Sequence, residues 1–587
     1  MDKKEEPEQG ENFREEEFRR QEQAYSTDDS DSGNEDFDED YNLFPPRPVI
    51  NSDQEIIHIP EVEGTGFSFR KLWAYCGPGF LMSIAFLNPG NIESDLQCGN
   101  IVEYKLLWIL LGSTVLGLLM QRLSARLGVV TGLHMAELCY NQYQKVPRIL
   151  LWLMMEIAII GSDMQEVIGT AIALYMLSNR KFPIWGGVLV TITDTFTFLF
   201  IDNYGLRKLE AFFVFLISIM TITFGFEYGT SKPDSLEVLK GLFVPWCEGC
   251  DNRAILQAIG IIGAIIMPHN FYLHSALVKS REVDRNRNEK IREANFYYFI
   301  ECCFAIFVSL IINIFVLAVF AHGLYGKTNK EVVRKVFNKF LKNSSKRYFC
   351  QHDSCPNSTA IDSFVFPSSG KHANDLVDAD LYNGGIFLGC AYGLAAMYIW
   401  AIGLLAAGQS STMTGTYAGQ FIMEGFLNLR WPKWKRVLFT RSLAIIPTFC
   451  VAFFTTIDML TNLNDILNAL MSIQLPFATI PLIAFTSSSK IMGEFVNGIG
   501  NKIMSITVSL SIIAINTYFV VQTILDYNLH WTLLAFIGFI SIFYFGFCLY
   551  LILHMMIYMG NSFLLRFSFV RNYIIGHMEH YHIFGDN

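Results

Sequence analysis

Charge is scarce in this chain. Asp, Glu, Lys and Arg make up 17% of its 587 residues, while hydrophobic residues make up 52%. That leaves too little polar surface for the several soluble domains such a length would ordinarily imply. Also missing are the spacings on which enzymes depend. No HExxH zinc helix, no phosphate-binding loop and no nucleophile with its base stands out. Neither an enzymatic activity, a resident cofactor nor a nucleic-acid partner is therefore expected. Residues 1–65 lack apolar periodicity and hold neither the apolar core nor the small-residue cleavage site of a signal peptide. This stretch, with MDKKEEPEQGENFREEE and STDDSDSGNEDFDED, reads as a disordered acidic tail that carries much of the net charge of -10.

What the chain has instead is long apolar runs. Leu106 to Met120, Ala211 to Phe226, Phe296 to Phe320, Gly384 to Ala407, Val437 to Phe454, Ile503 to Leu525 and Trp531 to Tyr558 approach or exceed the ~20 residues that cross a bilayer. Less uniform segments lie near residues 72–97, 149–177, 184–201, 254–278 and 466–485. The expectation is an all-α integral membrane protein with about twelve spans between residues 66 and 558. Residues 559–587 form a C-terminal tail.

Lys and Arg set the orientation through short loops. Arg70 and Lys71, Arg122 and Arg126, Arg207 and Lys208, the loop VKSREVDRNRNEKIRE, and Arg430 to Arg436 mark one side as cytoplasmic, together with both termini. The loop 321–383 falls on the other side. It is long enough to escape the charge rule and carries sequons at Asn343 and Asn357, candidate glycosylation sites. Cys350 and Cys355 in that loop, and Cys247 and Cys250 in an earlier one, are candidates for oxidation.

Two spans are interrupted. In FLMSIAFLNPGNIESDLQ, Pro89 removes a backbone donor and Gly90 weakens the helix, and in AIGIIGAIIMPHNFYLHSALV, Pro268 removes a donor beside His269 and Asn270. A single break is as well explained by a proline kink. Freed backbone is tolerated in a bilayer only inside protein or around a wet cavity, and paired breaks at matching places in two halves point to a transporter's central site. If the breaks face each other, Asn88, Asn91, the carbonyl of Ala264 and the thioether of Met267 converge. Amide and carbonyl oxygens with a thioether suit manganese, ferrous iron, cobalt or cadmium better than calcium. Taken alone, Met267 also reads as a packing residue.

The segments LNPGNIESDLQ, GSDMQEVIG, MPHNFYLHSALVKSR and GQSSTMTGTYAGQFIMEGFLNL resemble the signatures of the natural-resistance-associated macrophage protein family, especially its animal divalent-metal transporter branch. The likeness runs from about Phe67 to Tyr558. It implies a leucine-transporter-type fold of inverted five-helix repeats plus two helices, and alternating-access import of iron or manganese with protons. It assigns metal ligands to Asn88, Asn91, Ala264 and Met267, joined in some conformations by Gln474. It assigns an inward proton route to Asp163 and Glu166, with Arg441 as charge partner.

One position departs from the family pattern. Its first motif reads DPGN, and this chain has Asn88 where the carboxylate stands. A neutral ligand set should bind a divalent ion more weakly and with less pH dependence, because nothing in it must deprotonate. A non-transporting sensor or receptor on the same scaffold is the alternative function. Glu156, Asp163 and Glu166 share one face of the third span, and intramembrane carboxylates are functional by default. His269 and His274 on the sixth span suit proton exchange at mildly acidic pH or structural hydrogen bonding. Tyr41-Asn42-Leu43-Phe44 and Tyr581-His582-Ile583-Phe584 match tyrosine-based sorting patterns, so plasma, endosomal and lysosomal membranes are all compatible.

Overall fold

The computed structural model describes residues 57–60, 67–202, 206–332, 375–377, 379–428, 433–454, 457–526 and 531–560. Residues 1–56, 61–66 and 561–587 of the tails and their borders, the sequons at Asn343 and Asn357, Cys350 and Cys355, both tyrosine motifs and the Arg430 end of one basic loop lie outside them. Ile57, within the stretch expected to be a disordered tail, pairs instead with Arg281, its amide donating to the Ser280 carbonyl at 2.9 Å. Contacts divide the chain at Gln54 and Glu55, and every described residue belongs to the second unit.

The described residues are helical, with isolated bridges and no named strand. Ten helices among them are long and apolar enough to cross a membrane. Two further elements complete a set of twelve. The fourth span, Ile184–Asp202, has a shorter apolar stretch, and the first span is split into Pro78–Ile84 and Pro89–Val102. The chain is a multi-pass membrane protein. Five spans per half is an odd number, so the second half must enter from the opposite side; the repeats are inverted for that reason.

Burial separates core helices from lipid-facing ones. The third span (Lys145–Leu177) and the tenth are 83% buried over their most apolar window, whereas the twelfth (Trp531–Tyr558) is 11% buried. Its Phe536, Phe539 and Phe543 face outward, as a surface solvated by acyl chains requires.

Small residues set the closest approaches, as in other membrane bundles. The eighth span, Leu394–Leu427, packs along the third through AAGQSSTMTG. The first span packs on the seventh, Asn288–Leu324, where a Cβ on Gly99 would meet the carbonyl oxygen of Leu317. Gly99→Val should therefore cost about 1–3 kcal/mol by overpacking, read as a lower melting temperature of the purified protein.

The structure corrects the eighth apolar run, Gly384 to Ala407. It contains two helices, Leu381–Tyr392 and Leu394–Leu427, divided at Gly393, whose φ of 112° is open to glycine. A third interruption also emerges. The tenth span is two helices, Ile457–Gln474 and Pro476–Thr486, because Pro476 cannot donate to the preceding turn. Cys247 and Cys250 are joined as a disulfide.

A short helix, Met135–Gln142, ties the connection between the second and third spans to the end of the sixth. The Met135 amide donates to Ser275 Oγ at 2.9 Å, and Lys279 Nζ lies 2.8 Å from Glu137 Oε2. Burial alone pushes the Glu137 carboxyl up, but the His134 imidazole and the Lys279 ammonium outweigh it and bring the group from 4.5 down to about 2. A depressed carboxylate stabilises the fold above its unfolded value and loses that contribution as pH falls through its folded value. The stability advantage of the native chain over Glu137→Gln should thus be present, at about 3 kcal/mol or less, just above about pH 4.5. It should disappear as pH falls toward about 2, which denaturation at graded pH would measure.

Candidate metal and proton site

The breaks in the first and sixth spans face each other. Asn88 caps the helix Pro89–Val102, its Oδ1 accepting the Asn91 amide at 2.7 Å. Its Nδ2 donates to Met267 Sδ at 3.5 Å. Met267 sits between the sixth-span helices Asn252–Ile265 and His269–Leu277. Three residues earlier, the Ala264 carbonyl has Pro268 where its helical donor would be, so sequence chemistry alone releases it. Asn88, Asn91, Ala264 and Met267 are each at most 2% exposed.

Two of the residues singled out from sequence carry unsatisfied polar atoms. Both side-chain polar atoms of Asn91, and Oε1 of Gln474 at the break of the tenth span, are buried without a hydrogen-bond partner among the described residues. A buried amide left unpaired costs about 1–3 kcal/mol, which a coordinated ion or its water offsets. The arrangement offers oxygens and one soft sulfur. Among the described residues, no cluster of three His, Cys, Asp or Glu side chains forms a conventional metal site.

Asn88 is used differently from a carboxylate. Its oxygen is occupied as a helix cap, and the atom it presents to Met267 is a donor N–H. A cation beside Met267 meets the positive end of that amide unless the side chain turns over and abandons the cap, worth about 1 kcal/mol. Aspartate has two oxygens and can cap and coordinate together.

The contacts continue into the third and ninth spans. Ser162 Oγ lies 3.9 Å from Met267 Sδ and 3.2 Å from Glu166 Oε1. One hydroxyl proton serves one of these at a time. Arg441 of the ninth span, Lys433–Phe454, places Nη1 3.0 Å from Asp163 and 3.5 Å from Glu166. Its Nε donates to Thr416 Oγ1 at 2.9 Å and its Nη2 to the carbonyl of Thr412. One cation thus faces two carboxylates in a site where all three are at most 2% exposed.

The comparisons with known proteins agree along most of the chain. The Natural resistance-associated macrophage protein-like (Nramp) family profile matches residues 79–340 and 364–522. The chain is 60% identical to the Drosophila melanogaster protein Malvolio over 526 residues, covering 89% of this chain and 85% of that one. This chain belongs to the Nramp family. It is also 57% identical to human natural resistance-associated macrophage protein 2 over 510 residues, 87% of this chain and 86% of that one. Among solved structures, a crystal structure of the Eremococcus coleocola manganese transporter superposes with a TM-score of 0.69 at 29% identity. It covers 86% of this chain and 98% of that one.

Within this Nramp chain the residues singled out from sequence do not all converge. Asn88, Met267, Asp163, Glu166 and Arg441 form one connected set through Ser162. Glu156 is seven residues before Asp163, about 10 Å along the helix, and is buried without an ion pair among the described residues to Arg441. His269 and His274 are five residues apart, about 140° around the helix, so they face different neighbours. His274 pairs with Gln121 at 2.8 Å and lies 3.7 Å from Cys302 Sγ. Nδ1 of His269 has no partner among the described residues.

Sequence reading missed an amide cluster above the first break. Gln165 Nε2 donates to Asn468 Oδ1 at 2.8 Å, Asn468 Nδ2 approaches the Gly90 carbonyl at 3.4 Å, and Asn464 donates to Glu93. The signal was the four-residue spacing of Asn464 and Asn468 in the tenth span, which puts both amides on one helical face.

Proposed function

We propose that this chain carries divalent transition-metal ions, Fe2+ or Mn2+, across a membrane by alternating access coupled to protons. The observation that carries this reading is the contact of Asn88 with Met267 across two helix breaks, beside the unsatisfied amide of Asn91 and the freed carbonyl of Ala264. Gln474 joins this ligand set at the third break. The solved relative's name, a manganese transporter, supports the ion class. Protons use Asp163, Glu166 and Arg441, with Glu156, His269 and His274 along the route. Both termini face the cytoplasm of a plasma, endosomal or lysosomal membrane, and the loop carrying Asn343 and Asn357 faces away from it. No enzymatic step belongs to this reading.

A second reading is favoured by one observation. The N–H that Asn88 turns toward Met267 weakens a cation site, which suits a sensor that binds metal without moving it. Manganese and iron uptake into proteoliposomes holding the purified chain separates the two. Saturable uptake supports a transporter; metal binding without uptake supports a sensor.

The thioether should matter most for softer ions. Met267→Leu removes the sulfur at nearly constant volume, so cadmium uptake should fall several-fold, manganese uptake should fall less, and calcium should compete better. Unchanged competition between cadmium and calcium would remove Met267 from the ligand set.

A further inference from the structure

Away from the central site, three arginines meet at one end of the bundle. Arg122 and Arg126 of the second span (Leu107–Thr131) and Arg292 of the seventh line a cavity of about 300 Å³ with Asn295, Phe299 and Phe495. Arg122 and Arg126 are four residues apart, so two like charges share one helical face. Among the described residues the one carboxylate ion-paired with any of the three is Glu494, 3.3 Å from Arg292 and also bonded by Asn288. Two positive charges are left over.

Their donors are also left over. Nε of Arg126 and Nδ2 of Asn295 are buried without a hydrogen-bond partner among the described residues. Arg126 spends Nη2 on Asn497. Arg122 lies over the Phe299 ring, its Cζ 4.6 Å from the centroid. Planar donors around an uncompensated charge match a phosphate, which accepts several hydrogen bonds at once.

The source of that phosphate is indicated by what adjoins the cavity. Phe296, Phe304 and Phe307 are 52%, 59% and 57% exposed on the seventh span. Their spacing keeps them on one face, and they run from the cavity along a membrane-crossing helix. An acyl chain lies naturally on such a stripe while its headgroup sits among the arginines. By the distribution of Lys and Arg this end is cytoplasmic, the leaflet where anionic lipids concentrate. We propose that this pocket binds the phosphorylated headgroup of an anionic lipid, held by Arg122, Arg126, Arg292 and Asn295. A soluble phosphate ester shares the charge chemistry but has no use for the phenylalanine stripe.

The test uses the purified full-length protein in phosphatidylcholine nanodiscs with and without phosphatidylinositol bisphosphate, with retained lipid counted by native mass spectrometry. The native chain should retain the anionic lipid. Arg122→Gln with Arg126→Gln should weaken retention roughly thirtyfold, and Arg253→Gln, outside the pocket, should leave it unchanged. Asn295→Asp, which puts a carboxylate among the arginines, should weaken it too and serves if the double variant fails to fold. Undiminished retention in folded pocket variants would overturn the site. Displacement by water-soluble inositol trisphosphate at concentrations matching the lipid would overturn the lipid assignment in favour of a soluble phosphate ester.

Discussion

Asn88→Asp is expected to raise manganese and ferrous-iron uptake at least about tenfold at limiting metal, equivalent to ~1.4 kcal/mol. Two effects add. The carboxylate brings a full negative charge to an ion that has shed hydration water at membrane depth, where an uncompensated charge is costly. It also ends the competition in the native chain, in which the single side-chain oxygen caps the Asn91 amide and the Met267 side receives an N–H. With aspartate, one oxygen keeps the cap, strengthened by charge, and the other turns to the metal.

The pH dependence should change with it. The native ligands have nothing to deprotonate, so equilibrium manganese binding should be nearly flat with pH. In Asn88→Asp, binding should fall as the solution approaches the carboxylate's titration range. Binding isotherms and uptake at about pH 5.5 and about pH 7.5 measure both effects. Equal uptake and equal pH profiles in the two proteins would show that position 88 does not control the ion.

The helical architecture was legible because twelve apolar stretches and two proline breaks are written in residue order. The eighth stretch was misplaced because hydropathy does not register a backbone turn: Gly393 is as compatible with the apolar run as its neighbours, yet its φ of 112° divides it. The break at Gln474 was hidden for a related reason. Pro476 comes after a helix that still reads as apolar, and Pro447 lies within the ninth helix. At the site, sequence supplied the residues but not their pairing. That Asn88 caps its own helix, that Ser162 stands between Met267 and Glu166, and that Gln165 reaches Asn468 are facts of packing between distant segments. Pattern within one helix cannot contain them.

Arg441→Met should be the most destabilising single change in the transport machinery, at about 3–5 kcal/mol. Arg441 is 2% exposed and, among the described residues, is the one cation set against Asp163 and Glu166. Removing it leaves two carboxylates within one helical turn and deprives Thr416 and the Thr412 carbonyl of a donor. The loss acts through the two carboxylates, since Thr416 Oγ1 still donates to the Thr412 carbonyl at 2.8 Å, so Arg441→Met with Asp163→Asn should recover part of the stability, a coupling that a double-mutant cycle isolates. Arg441→Lys keeps the charge but not the fork of donors, and should fall between. A melting temperature of Arg441→Met equal to that of the native chain would sink this account. The same charge count has a functional consequence that does not involve Asn88. One cation against two carboxylates leaves one negative charge for a proton to balance, and neither group touches the metal-facing amide. The native chain should therefore pass protons into liposomes, read with an entrapped pH dye, even where its metal uptake is low. Arg441→Met should change that proton flux, while Asn88→Asp should link it to metal.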